Sequence, residues 1–283
     1  MDGSVSRILE VERRELMRLK LQALALILTT AASTLVHADL GHLDPLVQQI
    51  ALARANELFL KRDIPGLQAL LHESHLFVKQ DVALKLGRLG AQGAIEELRQ
   101  LNQAYATFAC AESGQFGVAV VLIENPEKAR QRKALLDLAT EVGGHSSYAN
   151  SVIDLAGREL SRFEGDDIEE RLTNVNTYGA QFTVLALQCR KLSTSDAIAK
   201  CIKVLQRHET PQKAQAAQTL LIASGKPAME AVRELKARVE ANIKTADPTF
   251  TLPKTIANSC ERILQTISDG EAVAAPDGDK PSN

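Results

Sequence analysis

Four cysteines are the residues of this 283-residue chain best suited to chemistry, because a thiolate can attack an electrophile, bind a metal or form a disulfide. They are Cys110, Cys189, Cys201 and Cys260. Since no Cys-x-x-Cys pair occurs and the six histidines are scattered, the spacing of a zinc site is missing. The thiols are therefore expected either to form disulfides in an oxidising compartment or to remain reduced in the core.

Two histidines provide a second candidate site. His72 and His75 are spaced i, i+3 in the segment HESH, which could direct two imidazoles toward one metal ion. No third ligand follows at a recognisable spacing, so we predict surface histidines and no bound metal. The sequence also lacks the motifs of serine hydrolases, zinc proteases, phosphate-binding loops and calcium loops, so we predict neither catalytic residues nor a cofactor.

The composition indicates an all-helical protein. The chain has no tryptophan, 4% aromatic residues and many residues of high helix propensity, such as Ala, Leu, Gln and Glu. Its 33 basic and 35 acidic side chains give a net charge of -2 without a long basic block. Because phosphate binding needs clustered Lys and Arg, this balance argues against nucleic acid as a partner.

Apolar residues recur at helical spacing in pairs of short helices. In the clearest pair, residues 76–103, two stripes flank Gly90: Val78, Val82, Leu86 and Leu89, then Ile95, Leu98 and Leu101. Weaker copies surround three other turns: Ala217 and Leu221 precede Gly225, and Met229, Val232 and Leu235 follow it. Leu185, Cys189 and Leu192 precede the turn at Ser193, and Ile198, Cys201 and Val204 follow it. Leu135, Ala139 and Val142 precede Gly143, and Tyr148, Val152 and Leu155 follow it. Such repetition is typical of a helical solenoid.

The segment Ala83–Leu98, ALKLGRLGAQGAIEEL, resembles the HEAT-like repeat of the phycobilisome-lyase type. The resemblance covers residues 45–245 and implies a HEAT-repeat, armadillo-like superhelix without identifying a substrate. HEAT-repeat hydroxylases that resemble deoxyhypusine hydroxylase bind di-iron through His-Glu dipeptides. Here His72-Glu73 and His208-Glu209 are two copies where four are expected, and they lie outside the matching helix position, so we do not predict an oxygenase.

The repeat register brings two of the cysteines together. Cys189 takes the place of Leu86 and Cys201 the place of Leu98, which are core positions on the two antiparallel helices of one hairpin. We therefore predict a Cys189–Cys201 disulfide in exported protein and leave the pairing of the other two thiols open. The alternative is that all four cysteines are reduced core residues.

An apolar segment near the amino terminus predicts export. Two basic residues precede an uncharged run from Leu21 to Val36, which is shorter than the ~20 residues of a membrane-spanning helix. Val36 and Ala38 form a small-x-small cleavage site. We predict a leader over residues 1–38, with Met17–Ala38 as the signal peptide, a periplasmic or secreted location and no lasting membrane span. Met1 and Met17 both stay open as the start of translation. A buried helix of a cytoplasmic protein is the alternative interpretation.

The mature chain is expected to form one helical domain over residues 39–268, followed by a disordered tail over residues 269–283. Three further elements are predicted: a kinked buried helix between Tyr105 and Asn125, a turn near Phe163 whose aspartates cap the next helix, and a closing helix over Leu252–Ile267.

The repeats, together with the missing catalytic motifs, favour a non-enzymatic scaffold of the bacterial cell envelope or secreted space that binds another protein. The second helix of each hairpin is expected to line the binding surface, and the candidates there are Glu96, Arg99, Lys200, Lys203, Arg233 and Lys236. The alternatives are a HEAT-like lyase or enzyme-accessory protein acting on a bound chromophore or peptide, and a structural component of a larger envelope complex.

The leader makes the first testable prediction. Amino-terminal sequencing of protein recovered from the periplasm or medium should read Asp-Leu-Gly-His, because cleavage after Ala38 leaves Asp39 as the first residue. Recovery of an intact cytoplasmic chain that starts at Met1 or Met17 would contradict it.

Overall fold

The computed structural model describes residues 45–73, 75–107, 114–141, 146–243 and 251–274, and these residues form thirteen helices and no strand. The prediction of an all-helical protein is therefore confirmed. The predicted leader lies outside the described residues, as does Cys110. Among the helices that are described, none is both long enough and apolar enough to cross a membrane.

The helices are α1 (Pro45–Leu60), α2 (Ile64–Glu73), α3 (Leu76–Leu89), α4 (Ile95–Thr107), α5 (Gly114–Glu124), α6 (Lys128–Ala139), α7 (Ser147–Glu159), α8 (Asp166–Leu172), α9 (Tyr178–Arg190), α10 (Thr194–Arg207), α11 (Pro211–Ser224), α12 (Lys226–Ile243) and α13 (Leu252–Ala274). Short 3-10 turns at Gln92–Ala94 and Leu160–Arg162 precede α4 and follow α7.

Within the stretch predicted as one domain, the chain forms two compact units. Among the described residues, the first comprises those of 45–126 with 146–148, and the second comprises those of 127–141 with 149–274. Helices α1 to α5 therefore belong to the first unit, and α8 to α13 belong to the second, together with α6 and nearly all of α7.

In the first unit, α3 is the central helix, because it packs against α1, α2 and α5. Helix α5 also packs against α4. The two predicted stripes of residues 76–103 lie on α3 and α4, where Leu86 and Leu98 are fully buried. The predicted buried helix between Tyr105 and Asn125 is α5, which begins at Gly114 and has most of its side chains in the core.

A glycine allows α3 and α5 to approach each other closely. A Cβ atom added at Gly87 of α3 would lie 2.7 Å from the Cα atom of Ala119 in α5 and 3.1 Å from its carbonyl oxygen. Real side chains do not fit at such distances from backbone atoms, so only glycine is compatible with this crossing. At the end of α3, Gly90 adopts the left-handed conformation (φ 66°) that begins the predicted turn.

In the second unit, the contacts join alternate helices as well as neighbours. Helix α9 packs against α11, α11 packs against α13, and α10 packs against α12. Neighbouring pairs also touch, most extensively α12 with α13. Their buried side chains form one continuous core that extends from Leu185 of α9 to Ile267 of α13.

Four sequence-based expectations differ from the structure. Leu192, predicted to be inward, follows the end of α9 and is 43% exposed. In α7, Ile153 and Ala156 are buried, whereas the predicted stripe Tyr148, Val152 and Leu155 is only half-buried, because this helix is oriented by its close contact with α9. The closing helix α13 continues to Ala274, six residues into the predicted tail.

The fourth difference concerns the turn after Phe163. Its aspartates do not cap α8 through their side chains, because Gly165 (φ 143°) is the N-cap residue and Asp166 and Asp167 lie in the first turn. There they are favourably placed toward the positive end of the helix dipole. Asp166 accepts a hydrogen bond from Lys191 (2.8 Å), and Asp167 pairs with Arg132.

Replacing Gly87 with alanine should destabilise the protein by about 1–3 kcal/mol, because the new Cβ atom forces α3 away from α5. Gly93→Ala is the matched control, since its Cβ atom would meet only the side-chain nitrogen of Gln68 at 3.6 Å. The free energy of unfolding in urea distinguishes the two variants. Equal effects of both substitutions would contradict the close crossing.

Leu86→Ala and Leu98→Ala should each lower the free energy of unfolding by about 2–5 kcal/mol, because both side chains are fully buried and leave cavities. Leu60→Ala serves as the control, since Leu60 is 81% exposed and its truncation removes little packing. Little destabilisation by either core substitution would contradict this packing.

Candidate functional site

A close crossing with α7 positions helix α9. A Cβ atom added at Gly179 would lie 1.7 Å from the carbonyl oxygen of Asp154, and one added at Gly157 would lie 2.9 Å from the backbone nitrogen of Ala180. Two hydrogen bonds fix this contact: Gly179 N donates to Asp154 Oδ1 (2.7 Å), and the buried Thr183 Oγ1 donates to the Gly157 carbonyl (2.6 Å). One side of α9 is thereby attached to α7.

Local capping signals position α10 and α11 beside α9. Ser193 Oγ accepts a hydrogen bond from Asp196 N (3.2 Å) at the start of α10. Thr210 Oγ1 accepts one from Lys213 N (3.2 Å), and Pro211 occupies the first turn of α11, as its Thr-Pro sequence predicts. The two helix starts are therefore encoded locally.

Helices α9, α10 and α11 enclose a cleft of about 300 Å³ in the second unit. Val184, Leu185 and Val204 form its apolar floor, and the other lining residues are polar or charged. The lining residues are Thr173, Gln181, Val184, Leu185, Gln188, Lys200, Lys203, Val204, Arg207, Glu209 and Lys213.

Four cations and one carboxylate give this cleft a net positive charge. Lys200, Lys203 and Arg207 lie on α10, and Lys213 lies on α11. Glu209 is close to two of these cations, because its Oε2 accepts a hydrogen bond from Lys213 Nζ (2.8 Å) and its Oε1 lies 3.7 Å from Arg207 Nη1. The hydrogen bond from Lys213 lowers the pKa of Glu209, so this carboxylate is ionised at neutral pH.

Two glutamines hold the α9 wall of the cleft in place. Gln181 Nε2 donates to the carbonyl oxygens of Val175 (2.7 Å) and Thr173 (3.3 Å), which fixes the segment before α9. Gln188 Nε2 donates to Glu169 Oε1 (2.6 Å) on α8. The wall is therefore cross-linked to its surroundings by side-chain hydrogen bonds.

The two cysteines paired by the repeat register lie beside this cleft. Cys189 Sγ and Cys201 Sγ are 3.7 Å apart, and both residues are thiols in this structure. Cys201 is 3% exposed, whereas Cys189 is half-buried. The hydrogen bond between the two sulfurs lowers the pKa of the Cys189 thiol, burial opposes this effect, and the Lys200 ammonium adds a smaller lowering. The same hydrogen bond and burial raise the pKa of Cys201.

The structure separates the six predicted partner-binding residues. Lys200 and Lys203 share the cleft. On α12, Arg233 is exposed, whereas Lys236 pairs with Glu261 of α13 and lies 3.7 Å from Glu240. Glu96 and Arg99 belong to the first unit, where Arg99 pairs with Glu96 and also with Glu124 (2.8 Å).

The candidate histidines do not converge on a common point. His72 Nδ1 lies 3.0 Å from Glu97 Oε1 on α4, while His75 stacks on Phe77 with 6.1 Å between the ring centroids. His208 ends α10 in the left-handed conformation (φ 47°), and Glu209 is engaged with Lys213. Within the described residues, no group of three His, Cys, Asp or Glu side chains could hold a metal ion.

Sequence reasoning missed two of the four cleft cations. Arg207 could have been found, because Lys200, Lys203 and Arg207 are spaced i, i+3, i+7 and so share one face of α10. Lys213 belongs to the next helix, and its place in the cleft depends on how α11 packs against α9 and α10. No local signal in the sequence indicates that arrangement.

Comparison of the chain with protein families, with characterised proteins and with solved structures finds no match.

Proposed function

We propose that this protein is a non-enzymatic scaffold with HEAT-like helical repeats, which binds an acidic segment of a partner protein at the cleft between α9, α10 and α11. The observation that carries this proposal is the clustering of Lys200, Lys203, Arg207 and Lys213 in a cleft that has an apolar floor and a single carboxylate in its lining. In keeping with the predicted signal peptide, we place this function in the periplasm or the secreted space.

The packing of the second unit supports the repeat architecture. Helix α9 contacts α11, α11 contacts α13, and α10 contacts α12, which is the pattern expected of two layers of stacked helices. A solenoid of this kind presents an extended surface on which a peptide segment can be bound.

The unneutralised charge favours an anionic ligand. Lys200 and Lys203 form no ion pair with a carboxylate of the described residues, whereas Glu209 partly neutralises Arg207 and Lys213. An arginine guanidinium can bind a carboxylate through two parallel hydrogen bonds, and lysines add point charges that attract it. A ligand carboxylate therefore finds both kinds of donor in one cleft.

The floor and the size of the cleft favour a peptide side chain as the bound group. Val184, Leu185 and Val204 can cover the methylene groups of a glutamate or an adjacent apolar residue. A volume of about 300 Å³ is at the lower limit of small-molecule pockets. We therefore expect the cleft to receive one or two side chains of a segment in which acidic and apolar residues alternate.

The Lys203→Glu, Arg207→Glu double variant should bind such a segment at least about tenfold more weakly, which corresponds to ~1.4 kcal/mol. The probe is a fluorescein-labelled peptide of alternating Glu and Leu, and its binding is measured by fluorescence anisotropy at several salt concentrations. Glu209→Gln should strengthen binding, because it removes the carboxylate that competes for Arg207 and Lys213. Affinity should fall as salt rises.

Two controls separate a specific site from general electrostatic attraction. Lys254→Glu, Arg262→Glu makes the same change of charge on exposed positions of α13, away from the cleft, and should leave the affinity unchanged. A peptide of alternating Lys and Leu should not bind. Equal losses in the two double variants would overturn the proposal, and purified protein that carries a visible chromophore would favour the lyase alternative.

A further inference from the structure

We infer that Cys189 and Cys201 form an asymmetric thiol–disulfide exchange site, in which Cys189 attacks an external disulfide and Cys201 resolves the mixed disulfide. The inference does not depend on the peptide-binding proposal. It goes beyond a static cross-link, because it assigns a different role to each sulfur and makes the oxidation reversible.

The distance between the two sulfurs supports the second step. Cys189 lies in the last turn of α9 and Cys201 lies within α10, and their Sγ atoms are 3.7 Å apart. A disulfide requires a separation of about 2.05 Å, so a shift of roughly 1.7 Å brings the sulfurs into bonding distance. The short turn that joins α9 to α10 holds the two helices next to each other.

The difference in exposure supports the first step. Cys189 is half-buried and is the more accessible of the two residues to an external disulfide, whereas Cys201 is 3% exposed. Either sulfur can donate in the hydrogen bond between them, and when the Cys201 thiol donates, it stabilises negative charge on Cys189. Accessibility and thiolate character therefore belong to the same residue, which is the combination that a nucleophilic cysteine requires.

The reaction balances with a small-molecule disulfide of the glutathione type as the oxidant. The Cys189 thiolate attacks one sulfur of that disulfide, forms a mixed disulfide and releases the first thiolate. Cys201 then loses its proton and attacks the Cys189 sulfur, which releases the second thiolate. Two protein thiols are oxidised to one disulfide, the external disulfide is reduced to two thiols, and the two protons from the protein thiols pass to the released thiolates.

Cys260 provides an internal comparison in the same unit. It is fully buried in α13, and burial raises the pKa of its thiol to about 11. Neither Cys189 nor Cys201 lies within hydrogen-bonding distance of its sulfur in the described residues. Cys260 should therefore remain unmodified while Cys189 reacts.

The test follows the reduced full-length protein after addition of oxidised glutathione near pH 8, with samples quenched by acid and N-ethylmaleimide and mapped by mass spectrometry. Trypsin cleaves after Arg190, Lys191 and Lys200, so a Cys189–Cys201 bond is detected as two peptides joined together. In the wild type, we expect glutathione on Cys189 first and the Cys189–Cys201 disulfide afterwards. A dithiol reductant should restore both thiols, and the oxidised form should have the higher unfolding midpoint.

Two single variants test the assigned roles. In Cys201→Ser, the glutathione adduct should accumulate on Cys189, because the resolving thiol is missing. In Cys189→Ser, Cys201 should be modified at least about tenfold more slowly than Cys189 is in the wild type. Circular dichroism establishes that each variant is folded, and Cys201→Ala replaces Cys201→Ser if the buried hydroxyl prevents folding. First modification at Cys201, or alkylation of both residues after prolonged oxidation, would overturn the inference.

Discussion

Close contact between helix backbones is the constraint on which the candidate site depends. Helices α7 and α9 cross where Gly157 and Gly179 leave no room for a side chain, and Thr183 donates a hydrogen bond into that crossing. Because the contact fixes the rotation of α9 about its axis, the opposite side of the helix, which carries Gln181, Leu185 and Gln188, faces the cleft. In the first unit, Gly87 of α3 has the same role against α5.

Side-chain hydrogen bonds to backbone carbonyls give this arrangement its rigidity. Gln181 is a buried polar residue that satisfies the carbonyl oxygens of Val175 and Thr173, and Thr183 satisfies that of Gly157. Buried polar groups without partners are costly, so each of these bonds favours one conformation of the segment around α9. A preorganised wall of this kind reduces the conformational entropy that a ligand must overcome when it binds.

The distribution of ion pairs explains why the charge of the cleft stands out in a nearly neutral chain. Some cations elsewhere in the second unit pair with carboxylates of neighbouring helices, as Lys236 does with Glu261 and Lys191 with Asp166. In the cleft, by contrast, Glu209 faces two cations, while Lys200 and Lys203 pair with no described carboxylate. The charge of Lys200 also favours the thiolate of Cys189, so the cleft and the dithiol share one electrostatic environment.

The sequence by itself determined the all-helical composition and the places where several helices begin and end. Thr210-Pro211, Ser193, Gly90 and Gly225 act through capping and backbone preferences, which depend on a few adjacent residues. Only the tertiary structure decided which charges meet. Lys213 lies with Lys200 in the cleft, Lys236 pairs with Glu261, and Ile153 of α7 is buried. These positions depend on contacts between different helices, which outweigh what the sequence of each helix predicts by itself.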